Sequence, residues 1–331
     1  MAARKPSKKA KAEDEEIESP FLPPVILDPR ALEKTMYDLT RIINQHDFDS
    51  EEELHNFLQT LMVPGQPVAS PIAQTPLEEA QEIIYEAWNT RSKTQRIKLA
   101  KKALSISEDC ADAYVLLAEE SARTVEQALH FYEQGMAAGE RALGLEAFEE
   151  YKGNFWAAIE TRPYMRAREG LALALWRLGD RDAAIDHFVA MLDLNPGDNQ
   201  GVRYHLLELF QETEEDDSLR KLLKRYKDDA SAQWFYTQAL VTYRQYKGGI
   251  RANKKLSAAL AYNPFVPQYL LGRKRLPKQH PSTISFGNED EAVDYVADAL
   301  PFWYDTPGAL DWLRDMVERS KTRQTGQTGL D

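Results

Sequence analysis

Residues 167 to 196 read AREGLALALWRLGDRDAAIDHFVAMLDLNP, one helix, a tight turn and a second helix. Leu171, Ala172, Leu175 and Leu178 recur at three- and four-residue steps, and Gly179-Asp180 breaks the period where the chain must reverse. Ala184, Ile185, Phe188, Leu192 and Leu194 rebuild an apolar stripe. Small Ala184 sits where two helices must approach closely, and Pro196 ends the pair. This is the pattern of a tetratricopeptide-like hairpin. One such unit cannot bury its stripe alone, so neighbours of the same kind are implied, and with them a binding scaffold.

Working outward, the composition agrees with an all-α chain. Helix formers dominate the 331 residues, and alternating β-branched runs bounded by hairpin turns are nearly absent. With 53 acidic against 41 basic residues the formal charge is -12, which argues against the body as a nucleic-acid binder. The single cysteine, Cys110, excludes an intramolecular disulfide framework and any multi-cysteine metal site within one chain. No run approaches the roughly 18 to 20 apolar residues that cross a bilayer, and the start lacks the apolar segment of a secretory signal. The expectation is a soluble cytoplasmic protein.

The punctuation divides the chain as follows. Residues 1–27, a basic block followed by an acidic one, read as a disordered tail. Residues 28–63 read as an N-terminal helical hairpin, with Asp28-Pro29 opening one helix and Ser50 the next. Leu32, Met36, Leu39, Ile42 and Ile43 are expected on the packing face of the first. Residues 64–75, rich in proline, form a linker. Residues 76–262 carry the α-solenoid of tetratricopeptide-like hairpins, interrupted between Gly144 and Met165 by an aromatic-rich insertion or bent connection. Residues 263–320 form a C-terminal strap and capping helices, and 321–331 a second disordered tail.

The C-terminal part carries a more specific likeness. AYNPFVPQYLLGRKRLP (261–277) and GNEDEAVDYVADALPFWYDTPGALDWL (287–313), preceded by LALALWRLGDRDAAI and LLELFQETEEDDSLRKLLKRYKDD, resemble the suppressor of tumorigenicity seven family in order and spacing over about residues 165–315. Segments DNQGVRY and NPFVPQYLLG are similar to mostly uncharacterised bacterial tetratricopeptide-repeat proteins. The eukaryotic family is associated with membranes through an N-terminal hydrophobic part for which this sequence has no counterpart, so membrane placement does not carry over. Neither resemblance implies catalytic residues.

Motifs for chemistry are sparse. The six histidines are scattered without an HExxH or a close pair, Lys247-Gly248-Gly249 lacks the spacing of a phosphate loop, and no cofactor is expected. The most specific passage is 198–204, DNQGVRY, where Asp198 or Asn199 can cap the following helix and Arg203 offers a rigid fork. Arg203 either pairs internally with an acidic neighbour or lines a ligand site with Asn199, Gln200, Arg162, Tyr164, Arg166 and Arg168. Trp176 and Arg177 fall near the inner side of their helix, as a peptide anchor or, for Trp176, as core.

The expected function is therefore non-catalytic: a scaffold or adaptor holding a protein or peptide partner along the concave repeat surface. The alternative is a phosphate- or nucleic-acid-associated factor, or an enzyme, using the arginine-lined pocket. The oligomeric state is not legible in these residues.

Overall fold

A computed structural model describes residues 29–61, 71–281 and 283–327. The tail at 1–27, the Asp28 cap, most of the linker and the last four residues lie outside the described residues. The chain forms two compact units, Met1–Pro71 and Ile72–Asp331.

In the first unit, α1 spans Pro29–Asn44 and α2 spans Glu51–Leu61. Ser50 Oγ accepts the Glu53 amide at 3.2 Å while Glu53 accepts the Asp49 amide at 2.9 Å, a capping box that starts α2. The packing face expected for α1 is corrected: Leu32 and Met36 are exposed, and the buried positions are Glu33, Asp38 and Arg41. These polar groups have partners that make burial tolerable, Lys34 pairing with Asp38 at 2.6 Å and Arg41 donating to the Pro71 carbonyl at 3.2 Å.

The second unit is built of helix pairs: α3 (Pro76–Asn89) with α4 (Lys93–Ile106), and α5 (Ala111–Glu120) with α6 (Val125–Glu150). Next come α7 (Arg162–Arg177) with α8 (Arg181–Leu194), α9 (Val202–Glu212) with α10 (Asp216–Arg225), and α11 (Ala232–Tyr246) with α12 (Ile250–Tyr262). The short α13 (Val266–Leu270) leads to α14 (Glu289–Asp305) and α15 (Ala309–Gln327). Successive hairpins pack on one another as an all-α helical-repeat solenoid, with no strand among the described residues.

Local chemistry explains the boundaries. Thr75 accepts the Glu78 amide at 3.1 Å ahead of Pro76, and Asp180 accepts the Ala183 amide at 3.3 Å to restart the chain after Gly179. Ala184 and Phe188 are fully buried, whereas Leu178, at the C-cap of α7, is exposed. The helix α6 kinks at Gly144, whose φ of 67° and ψ of 170° leave the helical region. After the kink, the rings of Phe148, Phe155 and Tyr164 meet at 5.0 to 5.9 Å and fill the space between layers.

Three apolar clusters follow the array. The first includes Ile84, Leu99 and Leu116, the second Phe188, Leu206 and Leu223, and the third Tyr236, Leu256, Trp303 and Leu313. The expected strap carries no helix over 271–281 and 283–288, and Lys274 pairs with Glu289 at 2.6 Å. The helix α15 continues to Gln327, where the sequence reading placed a tail from residue 321, because no proline interrupts the backbone there. Among the described residues no helix is long and apolar enough to cross a membrane.

Candidate functional site

The passage 198–204 folds as a turn held by one carboxylate. Asp198, in the left-handed region at φ 50°, accepts the Val202 amide at 2.8 Å and the Arg203 amide at 3.1 Å, so it caps α9. Asn199 is exposed. The Arg203 guanidinium donates to Asp198 at 2.8 Å, to Asp229 at 2.8 Å and to the Tyr204 hydroxyl at 3.1 Å. It also lies 4.5 Å from the Tyr204 ring centroid and 5.5 Å from that of Tyr226. Burial works against its charge, yet the hydrogen bonds to Asp229 and Asp198 prevail and raise its pKa above the ordinary arginine value. Arg203 thus ties the turn before α9 to the turn before α11.

Arg166 does the same one hairpin earlier. It grips Asp112 with two bonds, 2.8 and 2.6 Å, and Asp112, fully buried, also accepts Gln81 Nε2 at 2.9 Å. The chain Gln81, Asp112, Arg166 joins α3, α5 and α7. Arg162 donates to the Trp156 carbonyl at 3.0 Å and stacks over that indole, while Tyr164 is buried and its hydroxyl accepts from Arg168 at 2.6 Å. Gln200 donates to Glu169, whose carboxyl is raised mainly by burial. Arg162, Arg166, Arg168 and Arg203 therefore sit at separate junctions, each facing its own acceptor.

Open space lies instead beside the C-terminal end of α7. Arg177 lines a cleft of about 470 Å³ with Glu119, Arg123, Tyr132 and Gly170. Trp176, half-buried, donates its indole N–H to Glu212 at 3.1 Å, and Glu212 lines a second cleft of about 610 Å³. That cleft is formed by the starts of α8 and α10, by α9, by the end of α11 and by α14. Glu208 stands in it with its carboxyl pushed up to about 7 by burial first and by the neighbouring charges of Asp298 and Glu212 next. Asp298, exposed at the cleft, and Asp294 one turn earlier are also raised, in both cases chiefly by loss of solvent, with His280 acting in the opposite direction.

Glu208 and Asp298 were not singled out from the sequence. The available signal was a carboxylate inside the apolar run LLELF, where a solvated face would not place it. Among the described residues no group of His, Cys, Asp and Glu could hold a metal ion. Cys110 is a buried thiol pushed up to about 12 by burial, next to Asp112.

Comparison with known proteins places these junctions and clefts within one matched region. A family model described as ST7 protein matches residues 72–323, beginning at the first residue of the second unit. The human Suppressor of tumorigenicity 7 protein-like is 29% identical over 262 residues, covering 72% of this chain and 45% of that protein. Protein ST7 homolog of Drosophila melanogaster is 30% identical over 263 residues, covering 71% of this chain and 48% of its own. The Danio rerio Suppressor of tumorigenicity 7 protein-like is 28% identical over 257 residues, covering 72% and 44%. The chain spans about half the length of the curated relatives it matches.

Proposed function

The chain belongs to the ST7 protein family, and on that premise we propose that it is a non-catalytic adaptor whose tetratricopeptide-like hairpins hold a protein or peptide partner on the concave repeat surface. The observation that carries this reading is the 610 Å³ cleft, lined from α8, α9, α10, α11 and α14 together. A site contributed by several stacked hairpins is what repeat arrays use for extended partners. Its volume falls within the range of ordinary ligand clefts. Trp176 and Arg177, between this cleft and the 470 Å³ one, are the residue types that anchor interfaces. A cytoplasmic setting belongs to the same reading.

The phosphate-binding alternative draws less support. An incoming phosphate would have to displace Asp112 from Arg166, and Asp198 and Asp229 from Arg203, taking from each buried carboxylate its cation. The adaptor reading is tested by recovering complexes from lysate and mapping them by cross-linking mass spectrometry. Cross-links should concentrate on α7, α9, α11 and α14, and Trp176→Ala should reduce recovery of the partner. Cross-links confined to α4 and α12, which line neither cleft, would remove the reading.

A further inference from the structure

The cleft between α9 and α14 has an unbalanced lining. Its cations are already engaged: Arg181 by Glu212, Arg244 by Asp216 and Thr306, and Lys247 over the Tyr243 ring. Its acids are not. Glu208 and Asp298 line the cleft, Asp294 follows on the same face of α14, and among the described residues none of the three makes a hydrogen bond or an ion pair.

A second, independent feature points the same way. Gln211, one turn after Glu208 and part of the same lining, is only 5% exposed. Its amide nitrogen donates to the Leu207 carbonyl at 3.2 Å, while its oxygen is buried with no partner. Exchanging oxygen and nitrogen would set two acceptors against each other at Leu207, so the arrangement is not cured by a flip. A buried acceptor without a protein donor is costly, which marks Gln211 as a feature of this cleft.

We propose that this cleft receives an arginine-bearing segment of a partner protein, its guanidinium shared between Glu208, Asp298 and the Gln211 oxygen. Apart from the exposed Lys247 ammonium, the unsatisfied groups of the cleft are acceptors, so its complement carries donors. The planar fork of arginine offers five donors and bridges separated acceptors, whereas a lysine ammonium presents a single point of charge. This inference rests on the adaptor reading and gives its partner a chemistry.

The test uses the full chain and a short fluorescein-labelled peptide of arginines spaced by glycine, followed by fluorescence anisotropy. A lysine counterpart measures the preference, and the variant carries Glu208→Gln with Asp298→Asn. Removing two unpartnered carboxylates relieves repulsion, so this variant keeps the fold. A control, Glu146→Gln with Glu149→Gln, removes the same charge from exposed positions on α6. Saturable binding of the arginine peptide is expected, tighter than that of the lysine peptide. It should weaken at least about tenfold in the cleft variant and be unchanged in the control. No saturable binding, or equal weakening in both variants, overturns the inference by showing only attraction to an acidic chain. A partner of other chemistry would still map to α7, α9, α11 and α14 by cross-linking, so the adaptor reading fails separately.

Discussion

At Arg203 one guanidinium meets Asp198, Asp229 and the Tyr204 hydroxyl, and what happens when it is removed depends on what those groups keep. Asp198 retains the Val202 and Arg203 amides, and Asp229 retains the hydroxyls of Tyr204 and Ser231. Neither carboxylate is left bare, so the cost lies at the lower end for breaking a buried pair. Arg203→Met should lose about 2 to 3 kcal/mol in denaturant unfolding. A midpoint unchanged from wild type would mean that the pair adds nothing. Glu208 behaves in the opposite sense. Its folded pKa of about 7 lies above the ordinary 4.5, so the folded state binds the proton more tightly than the unfolded one. Its contribution to stability is present below the ordinary value and is lost as pH rises through the window from 4.5 to about 7. Glu208→Gln, which cannot ionise, should therefore stabilise the chain at pH 8 by about 1 kcal/mol after allowing for solvent screening. At pH 5 it should change little. Thermal melts at the two pH values check this, and an equal effect at both would contradict the assignment. From sequence, the rigid fork of Arg203 and its carboxylate partnership were legible as one of two readings. The partner Asp229 was not, because it lies on a different hairpin.

At the scale of elements, caps and breakers did most of the specifying: Thr75-Pro76, Asp180 and Asn263-Pro264 bound helices where the residue types call for it. Small residues decide how closely the elements pack. A Cβ added at Gly139 of α6 would stand 2.8 Å from Tyr164 Cβ and 3.1 Å from its Cα on α7. Gly139→Ala should gain about 1 kcal/mol of helix propensity, but the neighbour is backbone and cannot swing away, so overpacking of about 1 to 3 kcal/mol outweighs it. A net loss of about 1 kcal/mol is expected, read as a lowered denaturation midpoint. A gain would show that α6 and α7 can separate without cost. Helix α1 marks the limit of pattern reading. Its apolar stripe was plain in the sequence, yet Leu32 and Met36 are exposed while Glu33, Asp38 and Arg41 are buried, because periodicity locates a stripe but does not choose the face that is covered.

Across the second unit, one carboxylate closes the array. Glu291, buried on α14, accepts the Ala232 amide at 2.8 Å, the Asn263 side chain at 3.0 Å, the Gly287 amide at 2.7 Å and the Tyr262 hydroxyl at 3.2 Å. These donors belong to the start of α11, the end of α12 and the approach to α14. Glu291→Ala would strand the Ala232 and Gly287 amides and one Asn263 N–H, while Tyr262 keeps the Ala230 carbonyl, and because repeats couple mainly to their neighbours, the loss should be local. Hydrogen exchange should speed in α11, α12 and α14 while α3 to α5 stay near wild type. Uniform acceleration along the chain would mean that the unit unfolds as one block. The sequence by itself determined the all-α class, the helical-repeat character and the pairing of neighbouring helices, because periodicity, caps and small-residue positions are local and act within one hairpin. Only the tertiary structure decided which carboxylate each arginine meets, and that Glu208, Gln211 and Asp298 share a cleft. Those outcomes depend on the stacking of hairpins distant in sequence, which sets the burial and charge around each group; the one local sign was a carboxylate, Glu208, inside an apolar run.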